Sequence, residues 1–211
     1  SMGVRITPEN RAPVHTADRF FLQATSAETN VASVMSHLGE PTLVLSAFVK
    51  GSPISALIKA DLRKRNMSYR GPDLDQGDAW GLRHQFNIAD SGFGGRAPRV
   101  WNDRSGEVGR ELSVDQFDLD QLFRVEGVKV LHLSGLIAAL SPSTSKFCVA
   151  ESTMICTSPR EVSALPRTIS TLSMSTISRN CDHVRGNMTA LIMPVMSSMV
   201  RIAIASPFLV I

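Results

Sequence analysis

Two arginines and an asparagine lie close together in the segment 99–104, Arg-Val-Trp-Asn-Asp-Arg. The alternation of polar and apolar residues predicts a β-strand whose successive side chains point to opposite faces. A guanidinium group can hold a carboxylate through two parallel hydrogen bonds, and an amide can bind a hydroxyl group. The segment is therefore suited to holding a small anionic substrate.

A second segment, 128–135, has the sequence Val-Lys-Val-Leu-His-Leu-Ser-Gly and predicts a buried strand that ends at Ser134 and Gly135. His132 lies inside this strand, and a histidine of the core is favoured there over a catalytic base. Together the two segments indicate a parallel α/β sheet with an accessory pair of strands over its C-terminal edge.

The elements that must position these residues follow an α/β order. Ser26 is a candidate N-cap for a helix that ends at Gly39, and the apolar spacing at positions 31, 34, 35 and 38 predicts its buried face. The apolar run 41–49 predicts a strand covered on both faces, and a helix is expected over 54–66. Such alternation predicts a right-handed parallel layer.

The stretch 68–104 interrupts this order because it is rich in glycine and contains no helical pattern. Its segments 80–88 and 97–101 predict two strands joined by the loop 90–95, in which Asp90 caps its own turn. We expect this hairpin to lie outside the main sheet as a lid. Further on, a short helix is expected over 115–123, and Ser141 with Pro142 is expected to start another helix.

Length and composition bound the class of protein. The 211 residues, 43% of them hydrophobic and 19% charged, are typical of one globular α/β domain, and the net charge of +3 is too small and too scattered to favour nucleic-acid binding. The three cysteines show no metal-ligand spacing, so neither a zinc site nor a disulfide framework is expected. With no signal peptide recognised, we expect a cytoplasmic protein. The apolar segment 190–211 contains Arg201 and two prolines, which favours buried core over a membrane span.

The composition changes near residue 150. Residues 151–211 contain no lysine and a single glycine, are dense in serine and threonine, and show no persistent period. This predicts a boundary between residues 1–150 and an atypical segment 151–211. The segment is explained by a shifted or alternatively spliced reading frame, by divergence, or by poorly assigned residues, and the sequence does not separate these explanations.

The order and spacing of several segments within residues 18–150 resemble the N-terminal half of ribokinase-like (PfkB-type) carbohydrate kinases, and within them the 2-keto-3-deoxygluconate kinase branch. The segments that carry the resemblance are Glu28-x-Asn30-Val-Ala, the strand 42–49, the run 81–104, the segment 117–123 and His132-Leu-Ser-Gly135. The resemblance implies a three-layer α/β/α sandwich with a small β-lid in truncated form. It places lid strands at about 10–25 and 79–104.

The resemblance also implies a function. The family transfers a phosphoryl group from ATP, with Mg²⁺, to a hydroxyl of a sugar or sugar acid, and its lids can pair two subunits. The family's Gly-Gly-Ala-Glu-x-Asn turn corresponds here to a turn without the glycines, and its lid-strand Tyr-Asp-Arg corresponds to a segment in which Asn replaces Tyr. Arg83 lies on a predicted lid strand and is a further candidate for contact with the substrate. The implied substrate-binding residues are Ser26, Ala27, Asn30, Arg83, Asn102 and Arg104.

Other parts of the family pattern are missing from the sequence. We find no Gly-Ala-Gly-Asp motif to supply a catalytic base and phosphate-binding amides, no Walker-type loop, and no strand ahead of residue 18. Arg104 is either a clamp for a sugar acid or a partner of Asp103 or Glu107. Two functions follow: a sugar-acid kinase, or an inactive fragment that binds a sugar acid or a second subunit through its lid.

Overall fold

The computed structural model describes residues 1–157 and 209–210. Four α-helices and ten strands form most of the described part. The helices are α1 (Ala27–His37), α2 (Pro53–Lys64), α3 (Gly135–Ala139) and α4 (Pro142–Thr157). The strands are β1 (Gly3–Pro8), β2 (Phe20–Thr25), β3 (Thr42–Leu45), β4 (Phe48–Val49), β5 (Ser68–Arg70), β6 (Asp73–Leu74), β7 (Gln85–Asp90), β8 (Arg99–Asp103), β9 (Val130–Leu131) and β10 (Leu209–Val210).

The main sheet is parallel, with the order β5-β3-β10-β9. The short strands β4 and β6 continue β3 and β5 and also pair in parallel. Between them the ladder persists, because the Ser46 amide donates to the Arg70 carbonyl (3.0 Å) and the Phe48 amide to the Pro72 carbonyl (2.9 Å). The predicted strand 41–49 and the predicted parallel layer are confirmed.

Alternation along β3 separates two cores. Val44 packs with Ala32 of α1 and with Ile58 of α2. Leu45 packs on the opposite face with Phe147 of α4 and with the segment 119–123. Helices therefore cover both faces of the sheet, as expected for an α/β/α sandwich.

The lid is a separate four-stranded sheet with the order β2-β1-β7-β8. β1 is antiparallel to β2 and parallel to β7, and β7 is antiparallel to β8. Val4 and Ala24 anchor its lower end in the core beside α2. The predicted hairpin outside the main sheet is confirmed, and Asp90 caps its own turn by accepting from the Gly92 amide at 3.0 Å.

Serine hydroxyls begin the helices where the sequence predicts. Ser26 accepts from the Thr29 amide at the start of α1, and Ser141 accepts from the Thr144 amide at the start of α4. These contacts satisfy amide groups that have no partner inside the helix.

The predicted buried face of α1 is wrong at three of its four positions. Val31, Val34 and Leu38 are exposed, and only Met35 packs against the core. The buried side chains are instead Glu28, Thr29, Ala32 and Ser36. Small side chains let the helix approach closely, and the Ser36 hydroxyl bonds the carbonyls of Arg65 (2.7 Å) and Asn66 (3.1 Å) at the end of α2.

Strand β1 lies entirely ahead of residue 18, so the expectation that no strand precedes that residue is wrong. The strand is short, begins at a glycine and ends at a proline, and it pairs with β7 more than 80 positions along the chain. No local pattern reveals such a pairing. Within the predicted lid stretch 10–25, two short 3₁₀ turns come first and strand β2 begins at Phe20.

The helix expected over 115–123 is replaced by two separate turns. A capping box between Ser113 and Gln116 closes a 3₁₀ turn, and Phe117 then takes an extended conformation. The Asp118 carboxylate accepts from the Gln121 amide and begins a second turn, Gln121–Val125. Local capping bonds thus outweigh a continuous helix.

The C-terminal predictions lie mostly outside the described residues. Helix α4 runs through position 150 to Thr157. Residues 158–208 lie outside the described residues, so the boundary near residue 150 and the origin of the segment 151–211 stay predictions. Within the described part of the chain, no helix has the length and apolar character needed to span a membrane.

Candidate functional site

Four polar side chains form one row across the lid sheet. The strand register places Arg5 of β1 beside Gln23 of β2 and beside Asn87 of β7, and it places Asn87 beside Asn102 of β8. Residues opposite one another in neighbouring strands share a face of the sheet. We call the face with Gln23, Arg5, Asn87 and Asn102 the polar lid face.

One hydrogen bond fixes the middle of this row. The Arg5 Nε donates to the Asn87 Oδ1 at 3.3 Å. Asn87 is buried (7% exposed), whereas Arg5, Gln23 and Asn102 are exposed. The polar lid face therefore presents one guanidinium and two amides to whatever lies over it.

Arg104, two residues beyond Asn102, is held by an acid. Its Nη1 contacts both carboxylate oxygens of Glu107, at 2.9 and 3.1 Å, and the Glu107 side chain is fully buried. Of the two readings of Arg104, the ion pair with Glu107 is present. The charge of this arginine is thus already matched inside the protein.

Arg83 joins the same turn. Its Nε donates to the Ser105 carbonyl at 2.7 Å, and its Nη2 lies 3.6 Å from the Asp103 carboxylate. The structure therefore brings Arg83, Asn102 and Arg104 together around the end of β8. His84 and Gln85, which follow Arg83, are buried.

The candidates at the start of α1 form a second group. Ser26 donates to the Glu28 carboxylate at 2.6 Å, and the other Glu28 oxygen accepts from Ser134 at the start of α3. Burial raises the pKa of Glu28, but the nearby N-terminal amine and the bonds from Ser134 and Ser26 outweigh it, so the pKa is lowered. Ala27 is exposed, and Asn30 accepts from Arg65 at 3.4 Å.

The two groups approach each other through Ser1. Its hydroxyl donates to Glu107, and its side chain also lines a small cavity of about 20 Å³ with Ser26 and Glu28. A cavity of this size has room for about one water molecule and not for a sugar. The buried carboxyl of Glu151 lines the same cavity.

His84 joins the lid to the core. Its Nδ1 lies 3.0 Å from the Met2 carbonyl, and its Nε2 lies 2.8 Å from the Ser55 hydroxyl of α2. Burial lowers the pKa of His84, so the neutral ring is favoured, while the Met2 carbonyl opposes this. Burial also lowers the pKa of His132, near Glu28. The surroundings of His84 and of His132 therefore do not indicate acid–base catalysis by either histidine.

No site for the ATP and Mg²⁺ implied by the resemblance is identified among the described residues. Among residues 1–157 and 209–210, no group of three His, Cys, Asp or Glu side chains is placed to hold a metal ion. The sequence also contains no phosphate-binding glycine motif.

Sequence reasoning missed Arg5 and Asn87 as members of the site. Arg5 lies on strand β1, which no local pattern of the sequence reveals. Asn87 lies on a predicted strand, but the sequence alone does not show which face of that strand points inward. The polar row exists only through the parallel pairing of β1 with β7.

Comparisons with known proteins decide the fold. No protein-family model and no curated protein matches the sequence. Solved structures do match: a PfkB family carbohydrate kinase from Listeria grayi is 24% identical with a TM-score of 0.59, over 72% of this chain and 45% of that one. The described chain has the PfkB carbohydrate-kinase fold. The expected ribokinase-like α/β class is confirmed.

Two further solved structures match. The 2-dehydro-3-deoxygluconokinase from Thermotoga maritima is 18% identical with a TM-score of 0.60, over 72% of this chain and 44% of that one. A sugar kinase from Pyrococcus horikoshii, solved in complex with ATP, is 15% identical with a TM-score of 0.58, over 83% of this chain and 55% of that one. The chain thus spans about half the length of these kinases.

Proposed function

We propose that this chain is a sugar or sugar-acid kinase, or the sugar-binding part of one, that acts on 2-keto-3-deoxygluconate or a similar substrate with ATP and Mg²⁺. The observation that carries the proposal is the PfkB fold together with its lid, whose polar face presents Arg5, Gln23 and Asn102. Hydroxyl groups and a carboxylate are the ligands that amides and a guanidinium bind.

The chemical work of the chain's own residues in this proposal is binding. Asn102 and Arg104 would lie on the sugar side of the lid, and Ser26, Ala27, Asn30 and Arg83 remain predictions for the same role. Phosphoryl transfer depends on positioning and on charge stabilisation by groups around the phosphates. No step of that transfer is assigned to the described residues.

A second candidate function is favoured by the apolar side chains that the outer strands of the lid leave exposed. In it, the chain is catalytically inactive and binds a sugar acid, or a second subunit, through its lid. Exposed apolar side chains on the outer strands of the lid, among them Leu22 and Trp101, support the pairing of two copies.

One experiment separates the two candidates. The purified chain is mixed with ATP, Mg²⁺ and 2-keto-3-deoxygluconate, ATP consumption is followed, and sugar-acid binding is measured by calorimetry on the same sample. Consumption above a sugar-free control supports the kinase, and binding without consumption supports the inactive form. Neither binding nor consumption by folded protein would contradict the kinase and the inactive form that binds a sugar acid.

A further inference from the structure

We propose that Arg5 is the carboxylate-binding residue of the lid, and that the polar lid face recognises an acyclic or ring-opened sugar acid through Arg5 with Gln23 and Asn102 on either side. The inference rests on the proposed function and adds Arg5 to the residues proposed to bind the substrate. It is carried by the geometry of the lid strands and by the distribution of charge on them.

The guanidinium of Arg5 is oriented before any ligand arrives. Its Nε is bonded to the side-chain oxygen of Asn87, which is buried and therefore fixed. Among the described residues, neither Nη1 nor Nη2 of Arg5 takes part in a hydrogen bond or salt bridge. These two groups form the fork that binds both oxygens of a carboxylate, and a guanidinium fixed in advance loses less freedom on binding.

Arg5 carries the only charge among the strand positions of this face. The strand positions that share it are Gly3, Arg5 and Thr7 on β1, Phe21, Gln23 and Thr25 on β2, Gln85, Asn87 and Ala89 on β7, and Val100 and Asn102 on β8. None of these residues is acidic. Asp90 and Asp103 lie on the opposite face, because they stand at odd spacing from Asn87 and Asn102.

Arg104 differs from Arg5 in this respect. Glu107, fully buried, takes up the Arg104 Nη1 with both of its oxygens. A ligand carboxylate at Arg104 would have to compete with an internal carboxylate, whereas at Arg5 it would meet no competitor among the described residues. The anion is therefore better placed at Arg5.

The amides that flank Arg5 suit the rest of such a ligand. Neighbouring strands lie about 4.8 Å apart, so the row from Gln23 to Asn102 crosses three gaps and spans roughly 14 Å. Gln23 and Asn102 are both exposed at its ends. Each amide can donate to one hydroxyl of a polyol chain and accept from another.

The test compares two ligands that differ only at the acid group. Calorimetric titrations with gluconate and with sorbitol, in which a hydroxymethyl group replaces the carboxylate, are run on the wild-type chain and on Arg5→Gln, Arg5→Lys and Arg99→Gln. Arg99 is the matched control because it is exposed on the same sheet but on the opposite face.

We expect Arg5→Gln to weaken gluconate binding at least tenfold and to leave sorbitol binding unchanged. Arg5→Lys should keep the charge but lose the fork, giving an intermediate loss, and Arg99→Gln should bind like the wild type. Circular dichroism of each variant checks that the lid is folded.

Three outcomes overturn the inference. Unchanged gluconate binding by Arg5→Gln overturns it while the proposed function stands, and an equal loss in Arg99→Gln does the same because it indicates a long-range effect of charge. Failure of the folded wild type to bind gluconate, sorbitol or 2-keto-3-deoxygluconate overturns the inference and the proposed function together.

Discussion

Glu151 is a carboxyl group held away from water without a hydrogen-bond partner for one of its oxygens. Its side chain is 1% exposed, and its Oε2 has no partner in the described structure. Burial raises the pKa of Glu151 to about 8, although the N-terminal amine partly opposes this. A buried carboxyl group of this kind is protonated at neutral pH.

The stability of the fold should therefore respond to pH through this residue. The unfolded chain loses the Glu151 proton near pH 4.3, so between about pH 4.5 and 8 the folded state binds more protons than the unfolded state. The contribution of Glu151 to the free energy of unfolding is then lost as the pH rises through that range. We expect Glu151→Gln, which keeps the neutral form, to gain about 3 kcal/mol over the wild type between pH 5 and 8.

Urea unfolding of both proteins at pH 5, 6.5 and 8 measures this difference. Glu111→Gln is the control, because it makes the same chemical change at an exposed position. The lowered pKa values of His84 and His132 also make the free energy of unfolding depend on pH, in the direction opposite to Glu151. This contribution is the same in all three proteins, so it cancels when they are compared at one pH. A difference between Glu151→Gln and the wild type that stays constant with pH would show that the carboxyl group is ionised in the fold.

At the scale of elements, the backbone conformation of the short connection between β5 and β6 depends on one glycine. Gly71 has φ of +141°, and a Cβ built there would lie 1.8 Å from the Ser46 carbonyl oxygen. That oxygen belongs to the neighbouring connection, between β3 and β4. The two strands therefore bend side by side only because position 71 has no side chain.

Replacement of this glycine should separate the two strands. We expect Gly71→Ala to lower the free energy of unfolding by about 3 kcal/mol or more, since the backbone must move and the conformation is strained. Gly95→Ala is the matched control, because a Cβ there meets nothing within 4 Å, and it should change stability by less than about 0.5 kcal/mol. Urea unfolding midpoints measure both, and equal midpoints for the two variants would contradict the expectation.

At the scale of the whole molecule, the lid leaves large apolar side chains exposed to water. Trp101 on β8 is 50% exposed and Leu22 on β2 is 44% exposed, on the face opposite to the polar lid face. Both strands are outer strands of the lid sheet. Exposed edges and apolar side chains of this kind favour pairing with another chain.

We expect the chain to sediment as a dimer at tens of micromolar and Trp101→Glu to shift it to a monomer, because a buried charge in the interface would lack a partner. Trp80→Glu is the control: Trp80 is 90% exposed but lies outside the lid strands. Sedimentation velocity over a range of concentrations gives the masses. A wild type that stays monomeric throughout, or a dimer that survives Trp101→Glu, would contradict pairing through the lid.

The sequence by itself determined the α/β class, the caps at Ser26 and Ser141, the strand 41–49 and the hairpin that forms half of the lid. These features follow from neighbours in the chain: apolar runs, alternation, glycine-rich turns and serine hydroxyls next to free amide groups. Segment order was enough for the resemblance to the PfkB kinases, and the fold confirms the class.

Only the tertiary structure decided which faces of the elements are used. α1 buries Ala32 and Ser36 and exposes Val34, because hydrogen bonds to the end of α2 and close packing outweigh its apolar stripe. Arg104 is paired with Glu107, while Arg5 is carried into the lid by a strand that pairs across more than 80 positions of sequence. Local sequence cannot encode such contacts, since they depend on which distant backbone groups meet when the chain closes on itself.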